Sequence, residues 1–348
     1  QKLTVSALTL DPARLQLCPE GGAMLRRAGG RMSGGIGTRN LALSGKIGGT
    51  PLQLRAATAR FGLAAADFTL TGVETRIGTG DSVTRLDVAD LAGAIRDGSV
   101  GGTFSGAAGQ IGQVPLLLSD GKGDWTLRDG KLTLDGGLQV ADSAEAPRFN
   151  PLVSDDVVLT LDGSRIDAGG TLHVPGDDRI VTAVTLTHDL SAGAGQAVLD
   201  VQGLAFSPQG FQPDAVTRLT YGVIADVKGT VSGQGTIRWN GDGVTSEGKF
   251  RTRDTDLSAA FGPVTGLSTE IEFGDLLGMT TPEGKVQTAT VTLLNPGIPV
   301  ENGTIRYRLL SAQKIAIDDG RWPFAGGELI LEPTVLDFGQ QVERHMTF

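Results

Sequence analysis

Three histidines, three adjacent aspartate pairs and one cysteine are the side chains in this chain from which catalytic or metal chemistry could be built. His173, His188 and His345 stand far apart in sequence, whereas a metal site wants clustered ligands, so all three are read as structural or surface residues. Asp155-Asp156, Asp177-Asp178 and Asp318-Asp319 could supply an acid and a base. Neighbours on a strand point to opposite faces, however, so the pairs are read as turn residues. The stretch from Asn240 to Glu247 carries the oxygen ligands of a calcium loop without its spacing, and a tight hairpin explains it better. No Gly-x-Ser-x-Gly elbow, phosphate loop, complete Gly-x-Gly-x-x-Gly or His-Glu-x-x-His occurs. Neither catalysis, a metal nor a cofactor is expected. Cys18 is alone, which excludes an internal disulfide and leaves the redox compartment open.

The elements that would have to position such residues are strands. A length of 348 residues allows two ordinary domains or one architecture extended in a single direction. Glycine is abundant, at 52 residues, while apolar residues make up 39% and aromatics 5%. That supply is thin for a thick closed core and adequate for a sheet with one dry face. A net charge of −9 argues against nucleic-acid binding, and the basic cluster Arg26, Arg27 and Arg31 is too small to change that. No apolar run approaches the ~20 residues of a membrane helix, and no signal peptide opens the chain. Gln1 leads straight into the alternating Lys2 to Ala7, and Met346-Thr347-Phe348 alternates with Val342. The sequence therefore reads as a segment of a longer chain. Its last strand is expected to present an open edge that templates another strand.

Asp-Gly at 97, 120, 129, 135, 162, 242 and 319, and Asn-Gly at 240 and 302, are read as hairpin turns. Asn302-Gly303-Thr304, formally a glycosylation acceptor, is read the same way. Between the turns apolar residues alternate. Leu132, Leu134, Leu138 and Val140 share a face, as do Val157, Leu159 and Leu161, and Ala197, Leu199 and Val201. Val227, Val231, Ile237 and Trp239 follow, with Gly229, Gly233 and Gly235 on the same parity. Then come Leu267, Ile271 and Phe273; Ile305, Tyr307 and Leu309; Ile315 and Ile317; and Leu329 and Leu331. Opposite parities carry polar residues such as Arg306 and Arg308. This is antiparallel sheet with one dry and one wet face. Leu86 to Ile95 suits two helical turns or a strand. One short helix is expected after Pro213, and another at Gly274 to Met279. No fixed-period repeat occurs, which disfavours propellers and solenoids.

Trp322-Pro323-Phe324-Ala325-Gly326-Gly327 is the most informative stretch. Proline holds Trp322 extended, and the glycines permit a bend or a close backbone approach. The motif resembles the signature of the YdbH-type, AsmA-like (TamB-related) proteins. Leu294-Asn295-Pro296-Gly297-Ile298-Pro299-Val300, Phe273 to Thr281, Leu331 to Thr334 and Phe206 to Pro213 fit the same family. The first half is closest at Ile111 to Leu117 and Pro147 to Leu152. The chain is accordingly divided into 1–184, an amino-terminal segment of the sheet, and 185–348, which continues it and carries the motifs.

The resemblance implies a protein of the Gram-negative envelope that bridges the inner and outer membranes. Its implied fold is all-β: one long antiparallel sheet folded lengthwise into a U-shaped groove, with one or two short helices. Phospholipid is the implied ligand. The implied location is the periplasm, held by an inner-membrane anchor outside this sequence. A small outer-membrane lipoprotein is an implied partner, adding strands near the carboxy-terminal side. The alternating apolar residues from Leu132 to Leu331 are the expected groove lining. A dicarboxylate carrier is not supported, because no Arg or Lys cluster suits two carboxylates. A structural or adhesive β-sandwich or β-helix, and an envelope hydrolase, are the readings that remain open from the residues alone.

Overall fold

The computed structural model describes residues 3–5, 8–20, 22–80 and 83–339. The first strands are β1 (Leu3–Val5), β2 (Leu8–Leu10), β3 (Cys18–Pro19), β4 (Arg26–Ala28), β5 (Arg31–Ser33), β6 (Gly35–Ile47), β7 (Thr50–Gly62), β8 (Asp67–Ile77), β9 (Thr84–Arg96), β10 (Ser99–Gln110), β11 (Leu116–Arg128) and β12 (Lys131–Asp142). They continue with β13 (Leu152–Asp162), β14 (Arg165–His173), β15 (Ile180–Asp189), β16 (Ala194–Phe206), β17 (Ile224–Asn240), β18 (Gly243–Ala259), β19 (Gly262–Phe273), β20 (Gln287–Leu294), β21 (Val300–Ser311), β22 (Lys314–Phe324), β23 (Gly327–Leu331) and β24 (Thr334–Asp337). All but β4 and β5, which form a separate hairpin, belong to one 22-stranded antiparallel sheet. From β6 to β23 each strand pairs with the next in sequence, and β24 returns to β22 alongside β23. β15 crosses residue 184 without a break.

Two single-turn 3-10 helices, Pro213–Ala215 and Arg218–Thr220, lie in the β16–β17 connection, where a helix was expected. Gly274 to Met279 forms a turn bridged at Asp275 and Thr280 instead. Leu86 to Ile95 is strand, inside β9. The last alternating residues, Val342 to Phe348, lie outside the described residues.

Four of the Asx-Gly turn readings need correction. Asp97-Gly98, Asp129-Gly130, Asp162-Gly163 and the Asn240 to Gly243 hairpin are turns, but Asp120, Asp135, Asn302 and Asp319 lie inside strands. Asp120 and Asn302 have φ of 54° and 55°, the left-handed conformation that Asp and Asn tolerate best, and both interrupt their strand locally. At these two positions the Asx residue is left-handed, which a bulge uses as readily as a turn, whereas Asp135 and Asp319 are not left-handed and continue their strands. Gly136 serves another purpose: it faces Gly123 directly, where a Cβ would strike the neighbouring main chain.

Of the aspartate pairs, only Asp177-Asp178 sits in a connection, where Asp177 Oδ1 accepts from Arg179 N at 2.8 Å. Asp155 and Asp156 are in β13, the latter accepting from Thr171 N at 2.7 Å and Ser154 Oγ at 2.9 Å. Asp318 and Asp319 are in β22, paired across the sheet with Arg308 at 2.7 Å and Arg306 at 3.0 Å. On a polar sheet face, carboxylates match cross-strand cations as well as they match turns.

Because the strands form a meander, their connections alternate between two long rims. Those after β6, β8, β10 and β12 lie on one rim; those after β13, β15, β17 and β19 lie on the other. The sheet curls until these rims touch. Thr50 Oγ1, at the start of β7 beside the β6–β7 turn, donates to the carbonyl of Leu190 in the β15–β16 turn. Val114, between β10 and β11, packs against Ile237 and Trp239 near the end of β17. Arg148, between β12 and β13, donates Nη1 to Leu277 O between β19 and β20 at 3.0 Å. These contacts join connections nine, seven and seven strands apart along the sheet. The curl leaves 19930 Å² of accessible surface, against about 13,000 Å² for a compact chain of this mass.

Candidate functional site

Residues directly opposite on paired strands share a face, and the register assembles the alternating apolar residues into rows. One row runs Leu132, Leu161, Ile166, His188, Gly195, Trp239 and Val244. The next runs Leu134, Leu159, Ala168, Leu186, Ala197, Ile237 and Ser246. Leu138 and Val140 continue this parity toward the first rim, Val140 opposite Leu152. On β17, Val231 opposes Leu204, and Val227 is buried four residues away on the same strand. Further along the sheet Ile271 faces Phe250, and Phe273 faces Gly248. Ala289, Ile305, Gly320 and Leu331 form one more row, with Gln287, Tyr307 and Ile317 beside it, then Leu309 and Ile315. Leu267 packs with Ala289, Tyr307 and Ile317.

The meeting of the rims makes this face the inner one. The outer face carries ion pairs, among them Arg238 with Glu247 and Lys249 with Glu270, both at 2.7 Å. Being exposed, they are worth little energetically and serve chiefly to keep that face wet.

Burial along the inner face is uneven. Val227, Ile237, Trp239, Phe273, Tyr307 and Ile317 are buried, whereas Leu329 and Leu331 on the terminal β23 are 44% and 40% exposed. The family motif occupies the same end. Trp322 is 2% exposed and faces inward, with Pro323 and Phe324 completing β22. Ala325 and Gly326, at φ of 49° and 79°, make the β22–β23 turn before Gly327. Asn295, Pro296 and Gly297 belong to the β20–β21 connection, Asn295 Oδ1 accepting from Gly297 N at 3.1 Å.

Rim connections also fold onto the inner face. Phe211 from the β16–β17 connection packs on Leu152, Leu172, Val181 and Leu204, and Gln212 clasps Val227 through both its backbone groups at 2.9 Å. The β19–β20 connection is pinned by Ser246, which donates to Asp275 at 2.6 Å and accepts from Leu277 N at 2.8 Å. Asp142, its side chain fully buried, accepts from Arg148 N, Nε and Nη2 at 2.6 to 2.7 Å. Burial opposes its charge, but those bonds outweigh it and hold its pKa below the usual carboxylate value.

His188, buried in its row, accepts from Trp239 Nε1 at 3.0 Å. Desolvation lowers its pKa against the pull of the Ala194 backbone and Asp189. Both side chains border a cavity of about 430 Å³ where the rims meet, together with Thr50, Gln113 and Leu190. His173 Nε2 lies 3.6 Å from Asp155. His345 lies outside the described residues. Among the described residues no cluster of His, Cys, Asp or Glu is arranged to hold a metal ion.

Sequence reasoning grouped the inner face by parity but missed the rim contacts made by Thr50, Leu190, Val114 and Leu277. Nothing local marks residues that meet across seven or nine strands. Val114, Arg148 and Leu277 do fall within the Ile111 to Leu117, Pro147 to Leu152 and Phe273 to Thr281 likenesses, but a likeness does not say what each residue touches.

A single meander curled about a mostly apolar inner face, polar outside, defines a hydrophobic-groove protein. The sequence model of the YdbH-like family, described as the intermembrane phospholipid transport protein YdbH, matches residues 1–347, and the chain belongs to that family. The match takes in the first half as well as the second, although the recognisable motifs crowd the second. No curated protein and no solved structure matches the chain. Membership places it among proteins that move phospholipid between membranes. Among the described residues no helix is long and apolar enough to cross a membrane.

Proposed function

We propose that this chain is a conduit rather than a catalyst, and that its inner face shelters phospholipid acyl chains passing between the inner and outer membranes. The observation that carries the reading is the strand register, which lines up mostly apolar residues in rows along the curled sheet, with bulges between the rows. Each tail methylene taken out of water is worth about 0.8 kcal/mol, so a 16-carbon chain gains about 13 kcal/mol. A face that stays apolar along the route removes most of the barrier to sliding, and no cofactor is required. Contact between the rims narrows access of water to the middle of the groove. The β16–β17 connection, lying on that face, is what a passing tail must slide beside or lift.

In this reading the chain works in the periplasm, tethered to the inner membrane by an anchor outside this sequence. An outer-membrane lipoprotein extends the sheet at its carboxy-terminal end by strand addition. Native mass spectrometry of the purified protein tests the central claim: diacyl phospholipid should be carried through purification and released on unfolding. Protein that is lipid-free, and stays so after incubation with phospholipid vesicles, would sink it.

A further inference from the structure

We infer that Trp322 is a lipid-recognition residue whose indole N–H donates to an ester carbonyl of a glycerolipid, fixing the glycerol region at the first rim. This deepens the proposed function and rests on it. The chain has three tryptophans. Trp125 donates Nε1 to Ala92 O and Trp239 to His188 Nδ1, each at 3.0 Å. Trp322 Nε1 alone is buried without a partner, and it is the one buried side-chain nitrogen or oxygen in that state among the described residues. An N–H shut away from water without an acceptor is unfavourable, and native structures rarely keep one without a use.

The sheet makes room for this side chain. A Cβ at Gly303 would collide with the Nε1 edge of the ring, and one at Gly320 would come within 2.7 Å of Cη2. The indole therefore lies flat on a floor of two glycines on the inner face, and the Trp322 to Gly327 motif places it beside the rim turn at Ala325 and Gly326. Around it are Val264, Val291 and Val300, with Phe261 and Leu294 at the margin. An acceptor arriving through such surroundings has to travel with apolar atoms. An ester carbonyl, joined directly to an acyl chain, meets that requirement, and water does not.

The test compares a diacyl phosphatidylethanolamine with its dialkyl-ether analogue, which keeps the tails and headgroup but lacks the carbonyls. The wild-type chain should retain the diacyl lipid about tenfold more than the ether, the size of one recovered hydrogen bond. Trp322→Phe keeps a flat ring on the glycine floor and should bring the ratio to about one. Indole 15N–1H spectra of the wild-type protein give a second readout that needs no variant. The Trp322 N–H should shift with diacyl lipid and not with the ether, while those of Trp125 and Trp239 stay in place. Equal retention of the two lipids by the wild type, or a preference unchanged in Trp322→Phe, would overturn the inference and leave the conduit standing. Retention of neither lipid overturns both.

Discussion

Thr50 donates its hydroxyl to the carbonyl of Leu190, 140 residues away and on the opposite rim of the same sheet. Two residues before that hydroxyl, Gly48 sits so close to Ser164 that a Cβ would lie 2.8 Å from the serine Cβ. Gly48 and Gly49 both have positive φ, 56° and 89°, but around Gly49 a Cβ would meet nothing within 4 Å. The two glycines therefore form a matched pair: alanine strains the backbone at either, and only at Gly48 does it also push the rims apart. Gly48→Ala should lower the melting temperature by several degrees, and Gly49→Ala by about 1–2 °C, the range of a strained residue in a chain this long. Hydrogen exchange at the Leu190 amide, which donates to Ser164 O, should quicken in the first variant alone. Indistinguishable behaviour of the two variants would mean that the rims do not meet in solution.

His188 makes the same region sensitive to acid. Neutral Nδ1 accepts the Trp239 N–H, and protonation removes that acceptor. Because burial depresses the folded-state pKa, the unfolded chain takes up the proton first as pH falls below about 6.5. Stability from this residue is thus complete above that pH and is lost on acidification, down to the folded-state pKa. Melting temperatures between pH 8 and 5 should fall more steeply for the wild type than for His188→Gln. Parallel curves would remove His188 from the account.

The Asp142–Arg148 pair ties one rim to the other through Leu277. Arg148→Met leaves a buried carboxylate without its counter-charge, and a cost of about 3–5 kcal/mol in urea unfolding is expected. Combining it with Asp142→Leu should recover much of the loss, since the pair is more costly to break than to replace. A single variant within 1 kcal/mol of the wild type would show that the carboxylate finds water.

Ile271→Asp and Ile305→Asp each place a charge on the inner face, where a lipid tail offers no solvation. Retained phospholipid should fall by about tenfold or more, equivalent to at least ~1.4 kcal/mol. Arg306→Asp, on the outer face, gives up an exposed ion pair with Asp319 and should keep its lipid. The same occupancy in all three variants would mean that the faces, or the ligand, are misassigned.

Parity made the inner face legible in the sequence. Leu132, Ile237 and Tyr307 could be put on one side because a strand has period two, and the register links them as that period requires. Turn chemistry was legible only in part. Asp129 and Asn302 share a left-handed conformation at φ of 51° and 55°, yet one closes a hairpin and the other bends a strand. Asp135 and Asp319, also followed by glycine, are not left-handed at all, so the dipeptide fixes neither the conformation nor its use. Curling could not be read, because it accumulates from small twists and interruptions and becomes visible only where Thr50 reaches Leu190. Trp322 was found through its motif, but the missing partner of its N–H is a three-dimensional fact.

From β6 to β23 every strand lies next to its chain neighbour, which gives the architecture a way to change length. Two additional strands inserted at any hairpin would restore the alternation of the rims and the assignment of faces, and would extend the sheet by about 10 Å. A single additional strand would place all later connections on the wrong rim. Natural variation in reach among such proteins should therefore come in units of two strands, like courses added to a wall, and the distance spanned can track the gap to be crossed without any refashioning of what is already built.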